Sequence, residues 1–312
     1  YSLVLGSLGS SLQQPGFAVK LYQAENSRQA LAKIGLKNKN QDMLERYHNY
    51  LQALADDAHP VWQEIAQVIA AEAPDLVGIS CMTVYLASAL KIAAIVKQHN
   101  PNCQVVFGGQ HPTLLAEGVL KRSLVDFVIS GEGEVTLVEL ARTLANDGDL
   151  SAIPGLSWRN GDDIKHNQRR ELITDLDSLA PPLRSDLVFP ESFAPPDLGV
   201  VITSRGCPFS CTFCSAQSMW GRKVRYRSIA NVINELKMLV HDYRLKEIFF
   251  WDDSFTVNRQ RTLELCQAII AAKLGISLSC TTRLDRLDDE LLAAMKRAGC
   301  AQIDVVLESD SE

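Results

Sequence analysis

Hydrophobic and polar positions over residues 61–150 alternate between two spacings. Segments in which apolar residues recur every three or four positions predict helices, and the short apolar runs between them predict buried strands. We expect helices at 61–73, 86–99, 113–123 and 134–146, and strands at 76–81, 104–107 and 127–129. This alternation is typical of an α/β domain with a doubly wound parallel sheet, which we assign to residues 1–150.

The start of this domain has a less regular pattern. A helix is expected at 2–13, where Pro15 and Gly16 end it, and a strand is expected at 17–22. Residues 26–60 are polar and helix-prone, so they are expected to form a helical insertion.

The second half of the chain resumes the alternation after a connecting segment at 151–195. That segment predicts a hairpin around a turn at Asn160 and Gly161, followed by a proline-rich linker. The remainder, 196–312, predicts four strands separated by three helices, which indicates part of a (β/α) barrel with its site at the strand C-termini. The strands are expected at 200–203, 246–251, 276–281 and 302–307, and the helices at 229–241, 259–272 and 288–298.

Composition narrows the class of protein. The 312 residues are long enough for two domains, and 46% hydrophobic with 22% charged residues describes a globular protein. A net charge of −6 gives no reason to expect a nucleic acid partner. No apolar run reaches the ~20 residues that a membrane-spanning helix needs. The eight cysteines are dispersed along the chain, which indicates the reducing cytoplasm.

The loop after residue 203 carries the strongest chemical signal. Cys207, Cys211 and Cys214 lie on it with the spacing CxxxCxxC. Thiolates are the ligands that iron–sulfur clusters and zinc select, but a structural zinc site wants four protein ligands, and no fourth Cys or His lies nearby. Three cysteines suit a four-iron, four-sulfur ([4Fe-4S]) cluster with one iron open to another ligand. Zinc remains the alternative.

Glycine and polar residues collect where the predicted strands of the first domain end. Gly108 and Gly109 let the backbone approach a ligand closely, and His111 and Thr113 follow them. Residues 131–134 open a helix, whose first N–H groups can hold an anionic or amide group. Ligands of parallel sheets bind beyond these strand ends. From the residues alone a nucleotide, a phosphorylated sugar or no ligand stays open.

The cysteine loop resembles the signature of the radical S-adenosylmethionine (SAM) enzymes, in which an aromatic residue, here Phe213, precedes the last cysteine. Segments downstream resemble the barrel strands of that family, and two upstream segments resemble the cobalamin-binding module of one of its branches. The segments are 247–256, 282–283, 290–292 and 306–309 downstream, and 108–113 and 131–134 upstream. The resemblance implies a Rossmann-like cobalamin-binding domain followed by a partial radical SAM barrel. It also implies a further strand before residue 1 and further barrel strands after residue 312.

The cobalamin-binding segments depart from a common pattern in one respect. Many such modules carry the motif DxHxxG, whose histidine binds the cobalt, and this motif does not occur here. His111 follows the Gly-Gly pair and lacks the aspartate two residues before it. The resemblance therefore implies either that cobalamin binds without a histidine ligand or that the module has lost cobalamin.

The resemblance also implies roles for individual residues. Cys207, Cys211 and Cys214 would bind the cluster, whose open iron would take the amino and carboxylate groups of SAM. Asp253 and Glu308 would hold the SAM amino group or ribose. Arg283 would hold its carboxylate or methionyl end, and Phe213 would also contact SAM. The implied cobalamin-binding residues lie at the three strand ends of the first domain: Ser80, Thr83, Gly108, Gly109, His111, Thr113, Gly131, Glu132 and Gly133.

The function implied is cleavage of SAM to methionine and a 5′-deoxyadenosyl radical, most simply for cobalamin-dependent methylation of an unactivated carbon. The substrate would be a small molecule or natural product, and an electron donor such as flavodoxin or ferredoxin would be needed. An oxidative cyclase or rearrangement enzyme similar to the anaerobic magnesium-porphyrin cyclase is the alternative. A non-catalytic metal-binding module is a distant third.

Overall fold

The computed structural model describes residues 1–24 and 39–305, which form two compact units. The first unit comprises Ser2–Leu172 and Pro182–Ser192, and the second comprises Ile173–Pro181 and the described residues from Phe193 onward. Glu308, assigned to SAM binding from the sequence, lies outside the described residues. No helix in the described part of the chain is both long enough and apolar enough to cross a membrane.

The first unit is built on a five-stranded sheet in the order β1-β2-β3-β4-β5. The pairs β1–β2 and β2–β3 are parallel, and β3–β4 and β4–β5 are antiparallel. The strands are β1 (Leu76–Ser80), β2 (Gln104–Gly108), β3 (Phe127–Ile129), β4 (Leu156–Asn160) and β5 (Asp163–His166). The helices are α1 (Leu3–Gln13), α2 (Lys39–Ala55), α3 (Pro60–Glu72), α4 (Leu86–His99), α5 (Gln110–Leu120) and α6 (Glu134–Ala145).

Both faces of this sheet are buried, as the continuous apolar runs predict for a doubly wound arrangement. In β2, Val105 and Phe107 join one hydrophobic cluster that includes Val96 of α4. Val106 points to the opposite face, where it joins a cluster that includes Leu140 of α6. The prediction of a doubly wound α/β domain is therefore confirmed.

Three local predictions differ from the structure. The strand expected at 17–22 is wrong, because Leu21 forms only an isolated parallel bridge with Leu187. The hairpin assigned to the linker instead continues the sheet, because β4 pairs with the edge of β3 and buries Leu156 there. The helix expected from 113 begins at Gln110, so His111 and Thr113 lie in its first turn.

The second unit contains a four-stranded parallel sheet in the order β11-β10-β9-β6 and a two-stranded antiparallel sheet of β7 and β8. The strands are β6 (Val200–Val201), β7 (Ser204–Arg205), β8 (Arg225–Tyr226), β9 (Glu247–Phe250), β10 (Ser277–Thr281) and β11 (Cys300–Asp304). The helices are α7 (Ala216–Trp220), α8 (Ile229–His241), α9 (Arg259–Ala272) and α10 (Asp289–Arg297).

Three helices of the second unit begin at residues whose side chains cap them. Ser228, Asn258 and Asp288 each accept a hydrogen bond from the backbone N–H three residues later, at the starts of α8, α9 and α10. Their apolar faces pack with Ile248 and Phe250 of β9 in one core. Parallel strands alternating with helices in this way are the arrangement of a partial (β/α) barrel, as predicted.

Gly299 makes the close turn between α10 and β11 possible. Its φ is +98°, and a Cβ at this position would lie 2.5 Å from the carbonyl oxygen of Ile276. The Gly299 carbonyl also accepts the N–H of Leu278 at 2.9 Å, so the two backbones cannot easily move apart.

We expect Gly299→Ala to lower the free energy of unfolding by about 2 kcal/mol more than Gly275→Ala does. Gly275 is the matched control because its φ is also positive, at +66°, and no atom would lie within 4 Å of an added Cβ. Urea titrations followed by circular dichroism would compare the two variants. Equal destabilisation would show that the contact with Ile276 has no part in holding the turn.

Candidate functional site

The carboxylate of Asp252 fixes the strand that leads into the cysteine loop. Asp252 follows β9 and is buried, and its Oδ1 accepts the N–H of Thr203 at 3.1 Å and the Thr203 hydroxyl at 3.0 Å. The hydroxyl of Ser204 donates to the same oxygen at 2.5 Å. Burial raises the pKa of the Asp252 carboxyl, and the hydrogen bonds from Ser204 and Thr203 oppose that rise. The cysteine loop therefore starts from a position held by the neighbouring strand.

Asp253 and Gly206 hold the next part of the loop. The Gly206 N–H donates to Asp253 Oδ2 at 3.2 Å. Gly206 has a φ of +102°, and a Cβ there would collide with the carbonyl oxygen of Lys223, so only glycine fits at this position without strain. Burial raises the pKa of the Asp253 carboxyl, and the Gly206 hydrogen bond opposes the rise. The carboxylates of Asp252 and Asp253 thus fix the backbone that leads to Cys207.

The three cysteines lie on one short loop with graded exposure. Cys207 and Cys211 are half-buried and Cys214 is exposed, and the Cys214 N–H donates to the Cys211 carbonyl at 3.1 Å. Burial raises the pKa of the Cys207 thiol, and a hydrogen bond from the Phe209 N–H opposes the rise. The negative charge of Asp253 also raises the pKa of the Cys207 thiol.

This donor set fits an iron–sulfur cluster better than a zinc ion. A closed zinc site needs four ligands around one ion. Iron–sulfur clusters are held by cysteine thiolates, and three of them leave one iron of a [4Fe-4S] cluster open to another ligand. Three thiols on one loop match the second arrangement.

Arg283, at the end of β10, contacts the cysteine loop directly. One terminal nitrogen donates to Cys211 Sγ at 3.6 Å, and the guanidinium carbon lies 4.3 Å from the ring centre of Phe209. Arg286 stacks on the same ring at 4.9 Å. Asp285 accepts hydrogen bonds from the other two nitrogens of Arg283, at 2.9 and 3.1 Å.

The structure places the residues predicted to bind SAM as follows. Phe213 is exposed on the cysteine loop, and Asp253 and Arg283 contact that loop, so these three lie together with the cysteines. Their contacts with SAM stay predictions. Sequence reasoning did not single out Phe209 or Arg286. Arg286 lies three residues after Arg283 across a 3₁₀ turn, a spacing that places two side chains on one side.

In the first unit, side chains from three strand ends contact one another. The Thr83 hydroxyl and His111 Nδ1 are 3.1 Å apart, which links the segments after β1 and β2. Thr113 Oγ1 accepts the N–H of Gly131 at 3.0 Å, which links the segments after β2 and β3. The side chain of His111 is buried, and the backbone N–H of His111 donates to the carbonyl of Cys81 at 3.2 Å. The structure therefore brings these four predicted residues to one edge of the sheet.

At this edge, glycines stand where a side chain would collide with a neighbouring strand end or would cover the backbone. Gly109 has a φ of +99°, and a Cβ there would lie 2.9 Å from the Cys81 carbonyl oxygen and 3.3 Å from the Ser80 hydroxyl. At Gly131, φ is +84° and an added Cβ would meet no atom within 4 Å, so this backbone borders open space. Gly108 is likewise uncrowded, with only the Ile129 carbonyl near at 3.9 Å.

Glu132 and Gly133 follow Gly131 and lead into α6. Glu132 is buried, and a Cβ at Gly133 would lie 3.0 Å from a methyl carbon of Leu8 in α1. Gly131 borders open space and these two residues do not, so their assignment to cobalamin stays a prediction.

Exposed apolar side chains surround this edge, and the sequence reasoning missed them. Met82, Val84, Leu114 and Leu115 follow β1 and β2 and are between 46% and 67% exposed. Apolar side chains exposed together mark a surface that a ligand or partner covers. The broad, largely apolar ring of cobalamin fits such a surface beside polar groups. The sequence signal that could have identified them is the presence of apolar residues in the segments directly after the strands.

Two family models match the chain. The model described as the B12 binding domain matches residues 41–141, and the model of the radical SAM superfamily matches residues 201–312. The first match contains the edge formed by Thr83, His111, Thr113 and Gly131, and the second contains all three cysteines.

Curated relatives align with most of this chain. An uncharacterized methyltransferase of Pyrococcus horikoshii is 36% identical over 265 residues, which are 84% of this chain and 57% of that protein. The anaerobic magnesium-protoporphyrin IX monomethyl ester cyclase of Cereibacter sphaeroides is 28% identical over 278 residues, which are 85% of this chain and 44% of that protein. The chain thus spans about half the length of these relatives.

A solved structure shows the same fold. The radical SAM methyltransferase TsrM from Kitasatospora setae superposes with a TM-score of 0.67 over 97% of this chain and 56% of that one, at 17% identity. The order of the two matched models, the relatives and this fold agree with one another. The chain therefore belongs to the radical SAM superfamily, in the branch whose members carry a B12-binding domain before the radical SAM domain.

Proposed function

We propose that the protein is a cobalamin-dependent radical SAM enzyme that methylates an unactivated carbon. The observation that carries this proposal is the loop with Cys207, Cys211 and Cys214, which the carboxylates of Asp252 and Asp253 hold at the C-terminal ends of parallel strands. A three-thiol site leaves one iron of a [4Fe-4S] cluster open to SAM, and this is the arrangement that the radical reaction requires.

The chain's own residues would bind and orient the cofactors. When bound, the cluster and SAM supply a one-electron cleavage that yields a 5′-deoxyadenosyl radical, and cobalamin supplies a transferable methyl group. The three cysteines would hold the cluster, and Asp252 and Gly206 set the position from which the loop begins. We propose that Phe213, Asp253, Arg283 and Glu308 line the SAM site.

Cobalamin would bind at the C-terminal edge of the sheet in the first unit. The polar contacts of Thr83, His111 and Thr113 keep this edge ordered, and the backbone at Gly131 borders open space. The exposed apolar side chains after β1 and β2 support the same proposal, because a corrin ring would remove them from water. The proposed set comprises Ser80, Thr83, Gly108, Gly109, His111, Thr113, Gly131, Glu132 and Gly133.

An oxidative cyclase is the second candidate. The observation that favours it is the 28% identity with the anaerobic magnesium-protoporphyrin IX monomethyl ester cyclase over 85% of this chain. Both reactions would use the same cysteine loop, so the two candidates differ in the fate of the substrate radical.

The proposal also covers the substrate, the electron donor, the location of the protein and the roles of its domains. The substrate would be a small molecule or natural product, and a donor such as flavodoxin or ferredoxin would supply the electron. We place the protein in the cytoplasm, in keeping with eight free cysteines. We further propose that residues 1–150 hold cobalamin, that 196–312 hold the cluster and SAM, and that 151–195 connect the two and also supply β4 and β5 to the first unit.

We expect Cys207→Ala, Cys211→Ala and Cys214→Ala each to abolish the cluster, because each removes one of three thiolates from a site that has no spare ligand. Anaerobic reconstitution with iron and sulfide, followed by visible absorption and iron analysis, would measure this. Cys103→Ala is the control, since Cys103 is buried in the core of the first unit and should leave the spectrum unchanged. A loop variant that kept full absorption would show that the altered cysteine is not a ligand.

We expect Gly109→Ala to reduce the cobalamin retained per chain at least about tenfold, or ~1.4 kcal/mol, because the added Cβ would displace the Cys81 backbone. Gly118→Ala is the control, since Gly118 lies in α5, the helix that follows Gly109, and an added Cβ there would meet nothing within 4 Å. Gel filtration after loading with hydroxocobalamin would measure retention. Wild-type retention by Gly109→Ala would place the cobalamin site elsewhere.

A further inference from the structure

We propose that Arg283 raises the reduction potential of the cluster by donating a hydrogen bond to the sulfur of Cys211 and by holding a positive charge beside it. This inference rests on the proposed cluster and deepens it, because it assigns Arg283 a role toward the cluster itself. It makes Arg283 a positioning residue that acts through Cys211.

The contact between Arg283 and Cys211 joins two distant parts of the chain. The two residues are 72 positions apart, and the terminal nitrogen of Arg283 donates to Cys211 Sγ at 3.6 Å. Phe209 lies on the cysteine loop between Cys207 and Cys211, and the Arg283 guanidinium stacks on its ring at 4.3 Å. Arg283 therefore contacts the loop twice, once through a ligand sulfur and once through an aromatic face.

Asp285 holds the guanidinium in this orientation. It accepts the Nε–H of Arg283 at 2.9 Å and a terminal N–H at 3.1 Å, which is a two-point contact. The remaining terminal nitrogen is the one that reaches Cys211. All three nitrogens of Arg283 thus make contacts in the structure. These contacts use three of the five guanidinium N–H groups, so two remain for a SAM carboxylate, and the role toward the cluster adds to the one that the family resemblance implies.

The direction of the effect follows from charge. Reduction adds one electron, and therefore one negative charge, to the cluster and its thiolates. A hydrogen bond to a ligand sulfur and a nearby cation stabilise that more negative state, and both are known to set the potentials of iron–sulfur clusters. Arg283 and Arg286 together carry one more positive charge than Asp285 neutralises, and both stack on Phe209.

The test is a redox titration of the reconstituted full chain without SAM, followed by electron paramagnetic resonance, with dithionite as the reductant. Arg283→Gln should lower the ratio of reduced to oxidised cluster about fivefold at a fixed potential, or about 40 mV at 59 mV per tenfold change. Arg283→Lys should lower this ratio less, because lysine keeps the positive charge but loses the planar guanidinium group.

Arg286→Gln is the matched control, since it removes the same charge from the same ring without a contact to a cysteine sulfur. Its shift should be clearly smaller than that of Arg283→Gln. Equal shifts in these two variants would overturn the hydrogen-bond role. An unchanged potential in Arg283→Gln with weaker SAM binding would overturn the inference in favour of a SAM contact.

Two further outcomes remain decisive. If Arg283→Gln does not assemble a cluster, Arg283→Lys carries the test, and a potential equal to or above that of the wild-type chain would contradict the inference. If the wild-type chain itself takes up no [4Fe-4S] cluster, the proposed function fails, and this result is distinct from any shift in potential.

Discussion

The buried carboxylate of Asp252 is the interaction on which the cysteine loop depends. Burying a carboxylate is costly unless hydrogen bonds replace its water, and here the backbone and hydroxyl of Thr203 and the hydroxyl of Ser204 provide them. Each of these donors would cost about 1–3 kcal/mol if it were left buried and unsatisfied. The backbone of Thr203, four residues before Cys207, is therefore fixed to the end of β9, and a loop with three partly exposed thiols can begin from a defined place.

Both units use their parallel strands in the same way. Continuous apolar runs bury the strands on both faces, so polar and glycine residues are left to the C-terminal ends. In the first unit this edge joins Thr83 to His111 and Thr113 to Gly131. In the second unit the corresponding edge carries the cysteine loop and Arg283. The chemistry of the two proposed cofactors thus depends on one feature of sheet geometry.

Sequence patterns predicted the buried elements well and the long-range contacts poorly. The helices at 86–99, 229–241 and 259–272 match the structure residue for residue, because apolar spacing and capping residues are local signals. The strand expected at 17–22 does not form, because Leu21 makes only a single bridge to Leu187. The contact of Arg283 with Cys211 and Phe209 had no local signal, because it arises only when β10 is placed beside the loop.

The most direct test of the account is the metal content of the wild-type chain after anaerobic reconstitution with iron, sulfide and hydroxocobalamin. The account predicts about four irons, about four sulfides and about one cobalt per chain, with the broad visible absorption of a [4Fe-4S] cluster. Zinc bound in place of iron and sulfide would contradict the central claim. Iron without cobalt would retain the radical SAM site and remove cobalamin-dependent methylation from the proposal.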